Sequence, residues 1–158
     1  MAANLTDREM LARLVAFDTT SHRSNREMAE FVREYADRPG IRIEEQPSPC
    51  GEKVNLILST GPDSDDRSGL TLSGHMDVVP ALEPDWESDP FTLTERDGNL
   101  YGRGSCDMKG FDALALNALV EASTRELAHP LVVALTYDEE VGTFGARHLV
   151  ESWPKVER

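Results

Sequence analysis

The sequence predicts an α/β layered domain, and three observations lead there. Helix-spaced and strand-like segments alternate along the chain in the order α-α-β-β-β-(hairpin)-α-β-α, the signature of helices packed on a sheet. One segment, Leu131 to Tyr137, is almost wholly apolar, as a central strand covered on both faces is. No internal repeat, low-complexity stretch or linker interrupts the order, so residues 1–158 read as one unit.

The elements follow from local chemistry. Thr6 caps the first helix and Glu9, three positions on, completes a capping box. Met10, Leu11, Leu14, Val15 and Phe17 then keep helical spacing until Asp18-Thr19-Thr20-Ser21 ends the run. Ser24 and Glu27 have the spacing of a second capping box, and Met28, Phe31, Val32 and Tyr35 form the apolar face of a helix that stops before Pro39-Gly40. Ile41 to Glu45 alternates as a strand does, and Pro47 to Gly51 breaks it. Val54 to Leu58 is the second strand, Gly61 to Ser68 a polar loop, and Leu70 to Leu72 the start of a third strand leading to His75. Pro80 to Pro90 is a loop holding Trp86. Phe91 to Thr94 and Asn99 to Tyr101 read as a hairpin turning at Asp97-Gly98, a dipeptide suited to positive φ. A helix begins just after Asp107, runs through Phe111, Leu116, Leu119 and Val120, and frays near Ser123. After the apolar strand, Phe144, Ala146, Leu149 and Val150 support a last helix ended by Trp153-Pro154.

Composition narrows the function. The formal charge is −13, from 16 basic and 29 acidic residues. That sign opposes binding to phosphate backbones and argues against a nucleic-acid partner. No apolar run approaches membrane-spanning length, and the opening MAANLTDREM LARLVAFDTT lacks the basic-then-apolar layout of a secretory signal. A cytoplasmic protein with no membrane partner is expected. Two cysteines, Cys50 and Cys106, make neither a disulfide framework nor a CxxC metal knuckle, and are expected to be buried or inert.

Three polar clusters carry the chemistry. In Gly69-Leu-Thr-Leu-Ser-Gly-His-Met-Asp-Val-Val-Pro80, a strand delivers His75 with Asp77 two positions on. A neutral imidazole is a common zinc ligand and needs a partner on its other nitrogen; residues i and i+2 of a strand share a side, so Asp77 is placed to be that partner. Asp107, in GRGSCDMKG, precedes an apolar helix, where a plain N-cap is its commonest role. Gly102, Gly104 and Gly110 around it suggest backbone packed too closely for side chains. A carboxylate held there can bridge two cations at the roughly 3.5–4 Å separation of two-metal hydrolytic sites. Asp138-Glu139-Glu140 follows the apolar strand directly, where open α/β sheets place their sites. Adjacent strand residues face opposite ways, so both glutamates serve one cavity only if the chain is already turning; Val141 to Gly145 supplies a turn. One glutamate can then ligate metal while the other takes a proton from water. Nucleophilic hydrolysis by Ser105 or Cys106 is disfavoured, because no GxSxG elbow surrounds either.

SGHMDVVP, YGRGSCDMKGF and YDEEVG, in this order, resemble the M20 metallopeptidase/deacylase family, and the resemblance spans nearly the whole chain. Within the family, DMKGF and YDEEVG are most similar to the acetylornithine-deacetylating members, with succinyl-diaminopimelate desuccinylases and aminoacylases as near neighbours. The resemblance implies a mixed-sheet, Zn-exopeptidase-like catalytic domain with helices on both faces of the sheet. It implies two divalent ions, Zn²⁺ or Co²⁺, with His75 binding one, Asp107 bridging both and Glu140 binding the other. It makes Glu139 the general base and acid and Asp77 the carboxylate that orients His75, and it implies a cis peptide between Asp107 and Met108. The substrate class it implies is a small N-acyl amino acid.

The same pattern includes one further carboxylate ligand, a late histidine, and an inserted domain used for dimerisation, none of which falls within the 158 residues. His129 and His148 do not replace the histidine by motif; His148, in the last helix, reads as a surface or packing residue. The chain is therefore expected to be the amino-terminal part of an incomplete catalytic domain, inactive or nearly so by itself, with a homodimeric full-length form. A non-catalytic fragment or interaction protein that keeps the motifs as inherited structure is the reading of another class.

Overall fold

A computed structural model describes residues 4–63, 68–82, 84 and 86–152. The elements are α1 (Asp7–Val15), α2 (Arg26–Ala36), β1 (Ile41–Pro47), β2 (Val54–Thr60), β3 (Leu70–His75), β4 (Thr94–Arg96), β5 (Asn99–Tyr101), α3 (Lys109–Ala122), β6 (Leu131–Thr136) and α4 (Phe144–Ser152). The α/β order holds throughout. Trp153-Pro154, read as the stop of α4, lies outside the described residues.

Four strands form a mixed sheet in the order β1-β2-β6-β3. β1 and β2 are antiparallel, as are β2 and β6; β3 runs parallel to β6, with His75 opposite Thr136. The apolar β6 is thus interior, flanked by β2 and β3. Because β3 and β6 are parallel, their carboxyl ends finish side by side, and two of the three polar clusters leave the sheet at one place.

Side-chain alternation sorts the layers. Leu56 and Leu58 of β2, with Val133 and Leu135 of β6, face a core built with α1, α2 and α3, where Met10, Leu14, Met28, Val32, Leu116 and Leu119 are fully buried. Fully burying such a side chain contributes about 1.5–3 kcal/mol. Asn55, on the other face, donates to the Gly145 carbonyl and Gln46 to the His148 carbonyl, which seats α4 there. Helices therefore cover both faces.

The Thr6–Glu9 capping box forms as expected. The Ser24–Glu27 box does not. α2 starts one residue later, with Asn25 at its N-cap making no side-chain capping bond. Asn25 is buried and turned toward β2, donating to the Val54 carbonyl at 2.8 Å and accepting from the Val54 N–H at 3.0 Å. Ser24 instead donates to the Glu52 carbonyl. Long-range pinning of a strand start wins over a local cap. The hairpin is shorter than its pattern, β4 beginning only at Thr94, and it turns at Asp97 (φ 51°) and Gly98 (φ 75°). Both cysteines are exposed, which corrects the expectation of buried thiols.

Two charged residues of α3 are fully buried. Lys109 donates to the carbonyls of Leu14 (3.0 Å) and Phe17 (2.7 Å), satisfying the C-terminal end of α1 and tying it to the start of α3. Burial lowers its ammonium to about 8, against the opposing charges of Asp112, Asp18 and Asp77. Asp112 sits against Gly74 of β3, its two carboxylate oxygens without a hydrogen-bond partner among the described residues. Burial pushes its carboxyl up to about 8, although His75 and Lys109 pull the other way.

This sets a sign for pH dependence. The unfolded carboxyl releases its proton near 3.9 and the folded one only near 8, so the stability from Asp112 is complete below about pH 3.9 and is lost as pH rises through about 8. Asp112→Asn, which cannot ionise, is expected to flatten that loss. Urea midpoints of parent and variant at pH 5 and pH 8 measure it, and the parent should fall further between the two.

Candidate metal centre

The first cluster is placed by the end of β3. His75 is its last residue and is 4% exposed. The chain then leaves the sheet but stays tethered: Met76 N–H donates to the Thr136 carbonyl, Val78 N–H to the Thr19 carbonyl, and Thr19 Oγ1 to the Met76 carbonyl. These bonds bring the segment after α1 alongside residues 76–78, with Ser21 next to Asp77.

The second cluster is placed by close packing. Gly104 has φ 80°, and a Cβ there would stand 2.6 Å from Val78 Cγ1. A Cβ at Gly110 would stand 2.5 Å from the Ser105 carbonyl oxygen. The expectation of backbone too close for side chains therefore holds. Asp107 is not a helix cap, since α3 is N-capped at Met108 without a side-chain bond. Its carboxylate stays free to reach His75, with Oδ1 3.1 Å from Nε2. The Asp107–Met108 peptide is cis.

The third cluster turns earlier than its sequence suggests. Asp138 already has a left-handed backbone (φ 54°), before the turn at Gly142 and Thr143. That bend aims the N–H groups of Glu139 and Glu140 together at the Asp77 carboxylate, at 2.9 and 3.2 Å.

Asp77 is the junction of the site. It is 2% exposed and also accepts a bond from Ser21 Oγ at 2.7 Å. His75 Nδ1 lies 2.9 Å from the Asp77 backbone carbonyl and 3.5 Å from its carboxylate. As donor to these acceptors, Nδ1 leaves Nε2 as the nitrogen that faces Asp107 and the glutamates. Burial disfavours the Asp77 anion, but bonds from His75, Ser21 and the two backbone N–H groups outweigh it and hold the carboxyl below its usual range.

One ligand atom each from His75, Asp107 and Glu140 lies within 4.8 Å of the other two. Glu139 Oε2 is 3.8 Å from His75 Nε2, so it borders the same space. All four predicted side chains converge with Asp77 behind them. Neither His129, bonded to Ser68, nor His148, bonded to the Tyr137 hydroxyl, joins the group. Lys53, which grips Asp138, and Ser21 carry no motif signal and went unforeseen.

The electrostatics suit a cation. Burial, then the neighbouring Asp107 charge, hold the Glu140 carboxyl above its usual range. Burial lowers the His75 imidazolium, but the bond and charge of Asp77, with Asp107, raise it to about 9. Without metal, a proton on His75 compensates the converging carboxylates. A divalent ion would take that role, and one nitrogen with two carboxylates is a donor set that accepts zinc, cobalt or manganese.

Comparisons with known proteins give the family. Residues 71–158 match Peptidase family M20/M25/M40. The chain is 45% identical over 148 residues to an acetylornithine deacetylase of Myxococcus xanthus, covering 92% of this chain and 38% of that protein. It is 42% identical over 134 residues to an acetylornithine deacetylase of Proteus mirabilis (strain HI4320), covering 84% of this chain and 34% of that protein. The chain thus spans well under half the length of these curated relatives. Among solved structures, human carnosine dipeptidase 1 superposes with a TM-score of 0.72 at 28% identity, over 92% of this chain and 34% of that one.

The geometry makes Asp77 the residue whose loss disturbs both sides of the centre. Asp77→Ala is expected to weaken zinc binding about 10- to 100-fold, the usual cost of losing a partner that orients a ligand. Calorimetric titration of metal-stripped protein with Zn²⁺ measures it. From the family match, the identity to these relatives and the three converging clusters, the chain belongs to Peptidase family M20/M25/M40, a family of metal-dependent hydrolases.

Proposed function

We propose that the chain is the amino-terminal part of a metal-dependent amide hydrolase that converts N2-acetylornithine into ornithine and acetate, a step of arginine biosynthesis in the cytoplasm. The substrate is supported by the two relatives at 45% and 42% identity, both acetylornithine deacetylases. The chemistry is carried by one observation, the approach of His75, Asp107 and Glu140 ligand atoms to within 4.8 Å of one another. Among the described residues no helix is long and apolar enough to cross a membrane.

In this reading His75 and Glu140 would each hold one of two divalent ions, zinc or cobalt, with Asp107 shared between them. When bound, the ions polarise the amide carbonyl and make water a better nucleophile at neutral pH. The chain's own residues manage the proton and the alignment. Glu139, at the rim and half-exposed, takes a proton from the attacking water and returns one to the departing amine nitrogen. The C–N bond breaks, leaving acetate and the free α-amine of ornithine. Asp77 keeps Nδ1 of His75 engaged, so that Nε2 faces the ions, and holds the backbone of both glutamates. In this reading a full-length protein of the relatives' size would supply the remaining ligands and a domain for homodimer formation. The 158-residue chain alone is expected to turn over little or no substrate.

In the full-length protein, a chelator should abolish release of ornithine from N2-acetylornithine, and Zn²⁺ or Co²⁺ should restore it. Glu139→Gln should lower kcat by about 10²–10⁴, the typical contribution of a positioned acid–base group, with zinc still bound. Near-parental turnover by this variant would overturn the base assignment, and chelator-resistant turnover the metal assignment.

A further inference from the structure

Lys53 lies just ahead of β2 and belongs to none of the three clusters. Its side chain is 15% exposed, and its ammonium contacts both the Asp138 carboxylate and the Ser21 backbone carbonyl. Each partner leads into the centre. Asp138 is the left-handed residue immediately before Glu139, and its own side chain is 16% exposed. Ser21 is held at two ends: its carbonyl accepts from Lys53, and its hydroxyl donates to Asp77. Asp77 in turn receives the N–H groups of Glu139 and Glu140. The contacts close a ring, from Lys53 to Asp138, through the chain to Glu139, then to Asp77, Ser21 and back.

The turn has other ties. Phe144 N–H donates to the Asp138 carbonyl and Gly145 N–H to the Tyr137 carbonyl, while Gly142 and Thr143 N–H groups donate to the Glu139 carbonyl. These bonds tie the start of α4 and the Gly142–Thr143 turn to the backbone carbonyls of residues 137–139, and none of them reaches the Asp138 side chain. Asp77 fixes two N–H groups. Lys53 is what grips the side chain of the residue whose backbone makes the bend. A left-handed backbone is unfavourable for residues other than glycine, though aspartate and asparagine tolerate it better than most. Without Lys53, the largely buried Asp138 carboxylate would sit uncompensated in a region that already concentrates Asp77, Asp107, Glu139 and Glu140. Relaxing outward, it would draw both glutamates from the centre.

We propose that Lys53 is a positioning residue of the reaction: by clamping Asp138 to the Ser21 carbonyl, it holds the left-handed turn that presents Glu139 and Glu140 to the metal centre. This rests on the reading of Glu139 as base and Glu140 as ligand. In this reading Lys53 is neither ligand nor base and acts on the glutamates through Asp138. Its ammonium is a compact charge with three donors, enough for a carboxylate and a carbonyl at once.

The test uses the full-length, metal-replete protein with N2-acetylornithine, and the metal-stripped protein with Zn²⁺ alone. Lys53→Met should lower kcat by about 10- to 100-fold, with KM within about threefold, and weaken zinc binding by about tenfold, as loss of an outer partner does. Lys53→Arg, which keeps charge and donors, should recover most of both. Asp138→Asn, which keeps the tolerance for a left-handed backbone, supplies a second route if Lys53→Met folds poorly. Because Lys53 acts through Asp138, the double variant should be no worse than the more impaired single one. Lys53→Met within twofold of the parent in kcat and zinc affinity would overturn the proposal. So would full additivity of the two substitutions, or a melting-temperature loss with kcat per folded molecule unchanged. Glu139→Gln run alongside separates the two readings: if it keeps activity, the base assignment has failed, whereas if it loses activity while Lys53→Met does not, only the role of Lys53 has.

Discussion

One buried carboxylate holds the centre together. Asp77 accepts from the Ser21 hydroxyl and from the N–H groups of Glu139 and Glu140, and it stands beside His75 Nδ1. Three chain segments far apart in sequence thereby share a single anion. An anion taken from water is expensive to bury unless its lone pairs are satisfied, and here hydrogen-bond donors surround it. The same bonds that keep Asp77 charged therefore fix the spacing between imidazole and glutamates. Structure and chemistry have a common cause at this point.

The sheet makes that meeting possible. His75 ends β3 and Thr136 ends β6, and because the strands are parallel and in register, the segments that follow begin as neighbours. Asp107 arrives by another route, from the start of α3, which buried Lys109 ties to the end of α1. Both buried charges of α3 lie behind the centre. Lys109 has its two carbonyls, whereas Asp112 rests against Gly74 with no hydrogen-bond partner among the described residues. Burial moves both groups toward neutrality, and of the two only the carboxyl lacks a hydrogen-bond partner among the described residues.

Much of this was legible in the sequence, for reasons that differ by element. The apolar run of β6 and the spacing of α1 and α3 report burial directly, and the structure returns those elements almost residue for residue. His75, Asp107, Glu139 and Glu140 were recognisable because their chemistry sits at strand and helix ends, and the resemblance implied a role for each. What stayed hidden depended on partners remote in the chain. Ser24 and Glu27 had the spacing of a cap, but Asn25 was drawn away by Val54, across the fold. The bend at Asp138 was placed too late, because glycine-rich Val141 to Gly145 advertises a turn and an aspartate in left-handed backbone does not. Lys53 and Ser21 look like ordinary polar loop residues until tertiary contacts bring them to Asp138 and Asp77.

The parallel pairing of β3 with β6 has a further consequence, for assembly of the protein. Those strands are separated in sequence by a hairpin and a whole helix, so their contact closes a long loop, and such contacts form slowly compared with local ones. A slip of a single residue between them would swap every side chain of β3 to the opposite face and carry His75 away from the glutamates. The centre therefore depends on correct register in this one non-local pairing. A chain that mispaired there could retain most of its helices and its hydrophobic interior while lacking any place for an ion.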